Sequence, residues 1–295
     1  MTSRLIRGLP AALLALLAAA TPAADPLPTG VLTVVKEGFT SLDTPSWLPK
    51  DKVLLFADLE QKKLHQLRDG KIDVALEGGG RGRVAPDGWF YGVVDAAIVR
   101  WQPGGEKQVI LAKAPGDKEI SLNDLAISSQ GRLYYTTLKD PAKGRVTVVD
   151  VAKKSATVAW DGEHEPNLTN PNGVALSPDE KFLYVGISSY ASKGASGVYR
   201  FPINGDGSLD VAAGKKAKWA AAAGPDGIAA DRAGNVWLTA GAVVHVFGAD
   251  GKSRAALKIP KGSGTNLAFG GADGKTLYVT TKTTLYAAPV PAGGQ

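Results

Sequence analysis

Cysteine is absent from the 295-residue chain, which removes disulfide frameworks, thiolate zinc sites, iron–sulfur clusters and thiol catalysis. Histidine occurs three times, too few for a multi-histidine metal centre. There is no G-x-S-x-G nucleophile elbow, and the GGGRGR run (78–83) has no P-loop Lys-Ser/Thr after it, so two common catalytic scaffolds drop out. The formal charge of +6 comes from scattered Lys and Arg, without the clustering that marks a nucleic-acid surface. Charged residues at 21% and hydrophobic residues at 44% exclude a disordered tail and a polytopic membrane protein. What the chain does have is 36 glycines and 18 prolines without a collagen period, the mark of many tight turns.

The N-terminus reads apart from the rest. Arg4 and Arg7 precede an apolar run over 11–20, and the small residues of TPAAD follow. That order is expected of a secretory signal peptide over residues 1–24, leaving 25–295 as one domain. The apolar run is shorter than the ~20 residues of a membrane span, and no Cys follows it to carry a lipid. The expectation is a periplasmic or secreted protein, monomeric, without stable membrane insertion after cleavage.

Beyond residue 30, short β-rich runs recur between polar turns: VLLFAD (53–58), WFYGVV (89–94), RLYYTT (132–137), FLYVGI (182–187), VWLTA (236–240) and TLYVTT (276–281). Upstream of each lies a shorter segment opening on Asp43, Gly80, Asn123, Asn172, Asp226 or Asn266, positions 37 to 54 residues apart. A multi-stranded repeat of that length predicts propeller blades, and six repeats predict an all-β, six-bladed β-propeller. The last repeat is one strand short, and the orphan strand VLTVVKEG (31–38) is expected to complete it and remove an open sheet edge. Two stacked sandwiches would leave the spacing unexplained.

In a propeller the first strand of every blade lines the central channel, so the six opening residues meet at one mouth. Two carboxylates and three amides there form an oxygen-rich set suited to Ca²⁺, Mg²⁺ or a similar divalent ion. Asn or Asp before Gly also makes turns by itself. Arg81 and Arg83 alternate along the inner strand of the second repeat and are candidates for substrate binding, toward an anionic group, or for plain surface charge. His65 and His245 read as strand residues; His164 sits in the acidic stretch DGEHEPN (161–167).

The stretches TPSW…VLLFADLEQKKLHQL, LNDLAISSQGRLYYTT, PNGVALSPDEKFLYVG, PDGIAADRAGNVWLTA and TNLAFGGADGKTLYVTT resemble the regucalcin/gluconolactonase family of six-bladed propellers over residues 31–290. The resemblance implies one divalent metal, Ca²⁺ first, with Mg²⁺, Mn²⁺ or Zn²⁺ also compatible. Its implied ligands are Asn172 of the PNG stretch, Asp226 of the PDG stretch and Asp43, which stands where the family has Glu. It also implies a substrate and water contact at Asn123; Ser121 stands where regucalcin-like members have Arg. The implied chemistry is metal-assisted hydrolysis of a small lactone or related ester, with Asp226 also the candidate base. Other readings are a different hydrolytic activity on the same propeller, and a non-catalytic secreted binding or scaffold protein with a structural ion.

Overall fold

The computed structural model describes residues 30–113, 120–138, 144–188, 196–291 and 293–294; the expected signal peptide lies outside them. The elements are almost all strands. Blade one consists of β2 (Leu42–Leu48), β3 (Val53–Asp58), β4 (Lys63–Arg68) and β5 (Lys71–Glu77). Blade two is β6 (Gly79–Val84), β7 (Phe90–Val94), β8 (Ala97–Trp101) and β9 (Gln108–Leu111). Blade three is β10 (Leu125–Ile127), β11 (Arg132–Thr137), β12 (Arg145–Asp150) and β13 (Ser155–Asp161). Blade four has β14 (Pro171–Leu176), β15 (Phe182–Ile187) and β16 (Gly197–Pro202), and a bridge from Val198 to Ala220 takes its fourth place. A single helical turn, α1 (Val211–Gly214), follows. Blade five is β17 (Ile228–Ala230), β18 (Val236–Ala240), β19 (Val243–Phe247) and β20 (Ser253–Lys258).

Blade six closes the ring. Its strands β21 (Gly264–Gly270), β22 (Thr276–Thr281) and β23 (Thr284–Pro289) are completed by β1 (Thr33–Glu37), which pairs antiparallel with β23 from Thr33–Ala287 to Glu37–Thr284. The N-terminal strand therefore occupies the position expected for it, within the predicted 31–38.

The same turn joins the first and second strands of every blade. Lys52, Gly88, Gly131, Glu180, Gly234 and Gly274 all adopt positive φ, and each donates its N–H to the carbonyl three residues back. Glycine takes that conformation without a Cβ penalty. Glu180 takes it at φ 54°, and its carboxylate accepts from the N–H and hydroxyl of Ser129 in the preceding blade, at 2.8 and 2.7 Å.

No single core fills the molecule. Among the described residues the buried side chains divide into six clusters, one between each pair of adjacent blades: Phe90 and Trp101 of blade two meet Val53 and Leu55 of blade one, and Trp160 of blade three stacks on Phe201 of blade four at 4.4 Å between centroids. Burying one such side chain is worth about 1.5–3 kcal/mol. Because the apolar residues pack between blades, the inner rim is left to polar groups.

Candidate active site

The first strands touch one another around the centre, and four of them begin irregularly. Register shifts fall between Asp43 and Ser46 in β2, Gly79 and Gly82 in β6, Pro171 and Val174 in β14, and Gly264 and Asn266 in β21. A bulge bends its strand and re-aims a side chain, so each coincides with an expected channel residue. In blades three and five the equivalent residues precede the strand: Asn123 and Asp226 donate their N–H groups to the carbonyls of Thr136 and Thr239, both at 2.8 Å. Three buried threonines brace these starts from the second strand. Thr136 Oγ1 accepts from Asp124 N at 3.1 Å and donates to Asn172 O at 2.6 Å; Thr239 Oγ1 accepts from Gly227 N; Thr280 Oγ1 donates to Asn266 O.

The glycines after Asn172 and Asp226 serve close approach rather than a turn. Neither Gly173 nor Gly227 is among the positive-φ residues. A Cβ on Gly173 would collide with the Asp226 carbonyl, and one on Gly227 with Asn266. The inner strands thus converge so tightly that only hydrogen fits there.

Asp226 is half-buried, and its carboxyl is pushed well above the usual carboxylate range, first by loss of solvent and then by the negative charge of Asp43; Arg81 and Asn172 pull the other way. Asn172 donates its Nδ2 to Ser188 Oγ at 3.3 Å, and Ser188 Oγ donates to the Pro225 carbonyl. Asn172 Oδ1 is buried and has no hydrogen-bond partner among the described residues. A desolvated carboxyl without a full counter-charge, beside an orphaned amide oxygen, is a donor set that fits a hard cation.

Asp43, the third expected ligand, is engaged by neighbouring groups. Its Oδ2 accepts from Arg81 Nε at 2.8 Å, and its Oδ1 accepts from Thr44 N at 2.7 Å and Asn266 Nδ2 at 3.1 Å. Both oxygens are therefore used by the protein. Arg81 makes its contact from blade two. Among the described residues, no three His, Cys, Asp or Glu side chains form a metal cage.

Arg83, the other arginine of this inner strand, is held by protein acceptors. Its Nη1 donates to the carbonyls of Pro45 and Leu267, both at 3.0 Å, and its Nη2 to Asp124 at 3.2 Å and Asn266 Oδ1 at 2.7 Å. The guanidinium ties blade two to blades one, three and six across the axis. Its partner Asp124 is fully buried; burial pushes that carboxyl up, and Arg83 opposes the shift. Asp124 also accepts from Leu125 N at 2.9 Å and Val174 N at 3.3 Å. Sequence reasoning passed over Asp124, although an arginine on an inner strand needs a carboxylate and this one adjoins an expected site residue. Asn123 is half-buried, and its side-chain amide is bonded to no described residue. His164 is exposed and paired with Asp161 at 2.7 Å.

The SMP-30/gluconolactonase/LRE-like family model matches residues 43–283, from the first channel aspartate to the last turn of blade six. The chain belongs to this family. It is 28% identical over 265 residues to a 6-deoxy-6-sulfogluconolactonase of Pseudomonas putida, covering 84% of this chain and 85% of that one. It is 26% identical over 247 residues to a pentonolactonase of Haloferax volcanii, covering 80% of each. A gluconolactonase structure from Xanthomonas campestris superposes with a TM-score of 0.74 at 25% identity, over 88% of this chain and 89% of that one. The calcium-binding protein regucalcin from Agrobacterium tumefaciens shares the fold, with a TM-score of 0.71 at 18% identity over 89% and 94% of the two chains.

Proposed function

We propose that this lactonase of the gluconolactonase type opens a small cyclic ester at the channel mouth, with a divalent cation held by Asn172 and Asp226. The observation that carries the reading is the desolvated, half-buried Asp226 carboxyl beside Asn172 Oδ1, which has no partner among the described residues. With oxygen donors alone at the site, Ca²⁺ or Mg²⁺ suits it better than Zn²⁺. When bound, such an ion supplies Lewis-acid polarisation of the lactone carbonyl.

The protein's own groups do the rest. Asn123 presents its amide to the substrate and orients the ring. Asp226 takes a proton from the attacking water as the new C–O bond forms. The proton then passes to the ring oxygen as the ring C–O bond breaks, giving a hydroxy acid. Ser188 and Thr136 hold Asn172 in place from behind. We place the mature protein in the periplasm or outside the cell, on the strength of the basic, apolar and small-residue order of its first 24 residues.

The test is proton release from aldonolactones by the wild type, Asp226→Asn and Asn172→Ala, with and without chelator. Wild-type turnover should need added Ca²⁺ or Mg²⁺, and Asp226→Asn should lose at least about 100-fold in kcat/KM. Turnover that survives both chelation and Asp226→Asn would reject the site. A cation-dependent melt with no hydrolysis of any lactone would favour the non-catalytic binder.

A further inference from the structure

The two arginines of β6 differ in what is left over. Both terminal nitrogens of Arg83 are used by protein acceptors. Arg81 is held only through Nε, by the 2.8 Å bond to Asp43 Oδ2, and its terminal nitrogens bond to no described residue. Its side chain is 27% exposed, against 12% for Arg83, so Arg81 is the arginine of the pair more open to solvent. Asp43 is itself fixed by Thr44 N and Asn266 Nδ2, which makes the grip on Nε a rigid one. A guanidinium pinned on one side presents its two terminal amino groups as a ready fork for a planar or tetrahedral anion.

The charge around it agrees. With Asp43, Asp124 and Asp226 all ionised, as a bound cation favours, they and the nearby Arg81 and Arg83 sum to one formal negative charge before the cation is counted. A divalent cation turns that into one positive charge, with Asp43 and Asp124 already matched by the arginines. We infer that Arg81 is a specificity residue that grips an anionic substituent, carboxylate or sulfonate, on the sugar-derived lactone, so that acidic lactones are preferred over neutral ones. This rests on the lactonase reading above and adds the substrate class. Asp43 acts as the positioning residue for Arg81.

The experiment compares a neutral aldonolactone with a carboxylate-bearing and a sulfonate-bearing lactone of the same ring size, in the cation-loaded enzyme. The wild type should favour the acidic lactones, through KM, with a preference that shrinks as salt rises. In Arg81→Gln the ratio of acidic to neutral kcat/KM should fall about tenfold to hundredfold, the scale of one or two charge-assisted hydrogen bonds. Arg81→Lys keeps the charge but not the fork, and should recover only part. The double variant Arg81→Gln/Asp43→Asn avoids an unpaired carboxylate, and should show the same loss if the single variant folds poorly. Calorimetric binding of the corresponding hydroxy-dicarboxylate gives a readout independent of turnover. A ratio unchanged in both Gln variants, or wild-type selectivity insensitive to salt, overturns the inference even if neutral lactones are hydrolysed. Arg81-dependent binding of the dicarboxylate without hydrolysis of any lactone upholds the anion grip and rejects the lactonase reading.

Discussion

Arg83 shows how one side chain can hold a propeller at its axis. Replacing it with methionine leaves Asp124 buried and uncompensated, and breaking a buried pair by removing one partner costs about 3–5 kcal/mol. Urea unfolding of Arg83→Met should show a loss of that order, and Arg83→Met/Asp124→Asn should recover part of it; a loss below about 1 kcal/mol for the single variant would deny the cross-blade tie. Nothing near Arg83 in the sequence announces this role, because its partners lie 41 and 183 residues away. The contact of Asp43 with Arg81 is equally silent in the sequence, since the arginine is 38 residues on. Asn172 and Asp226 were legible because each opens a repeat, whereas the glycines behind them were legible for the wrong reason: crowding between strands, not turn geometry, requires them. His65 gives a pH test. Its ring packs against Phe39 and Phe56, and burial holds its pKa below the ordinary value. As pH falls below about 6.5 the unfolded chain takes up the proton first, so the stability His65 contributes is lost toward acid. Asp124 and Asp226, held high, act in the opposite sense, so the informative quantity is a difference. Between pH 7 and 5 the unfolding midpoint should fall more steeply for the wild type than for His65→Phe; identical slopes would count against it.

Among the elements, β1 carries the most with the least burial. All five of its residues are exposed, yet it covers the edge of β23 through a ladder that bulges between Val34 and Lys36. Removing residues up to Glu37 uncovers β23, and an unpaired strand edge is a template for association. The shortened protein should melt about 5–10 °C lower and form concentration-dependent oligomers by light scattering. A monomer with an unchanged melt would show that the ring does not need this strand. The strand could be recognised in the sequence only by arithmetic, as a β-rich run left over before the first repeat and one missing from the last. The second strands were easier, because turn residues and alternating apolar side chains mark them locally. The bulges at the starts of β2, β6, β14 and β21 had no such mark, since an extra residue in one strand is defined only against its neighbour.

At the scale of the whole molecule, the cohesion is distributed around a circle. Each of the six apolar clusters joins two neighbours, so no blade can leave without disturbing both sides. The six-bladed ring was legible because the repeat spacing survives in the turns, from Lys52 to Gly274, even where blade four gives up a regular outer strand. The pairing of Thr33 with Ala287 spans 254 residues, nearly the length of the folded chain. During synthesis β1 emerges first and waits for the last strand to be made. The ring thereby acts as its own test of completeness: a polypeptide cut short anywhere before β23 leaves β1 without its partner, an unclasped end that the finished chain does not have.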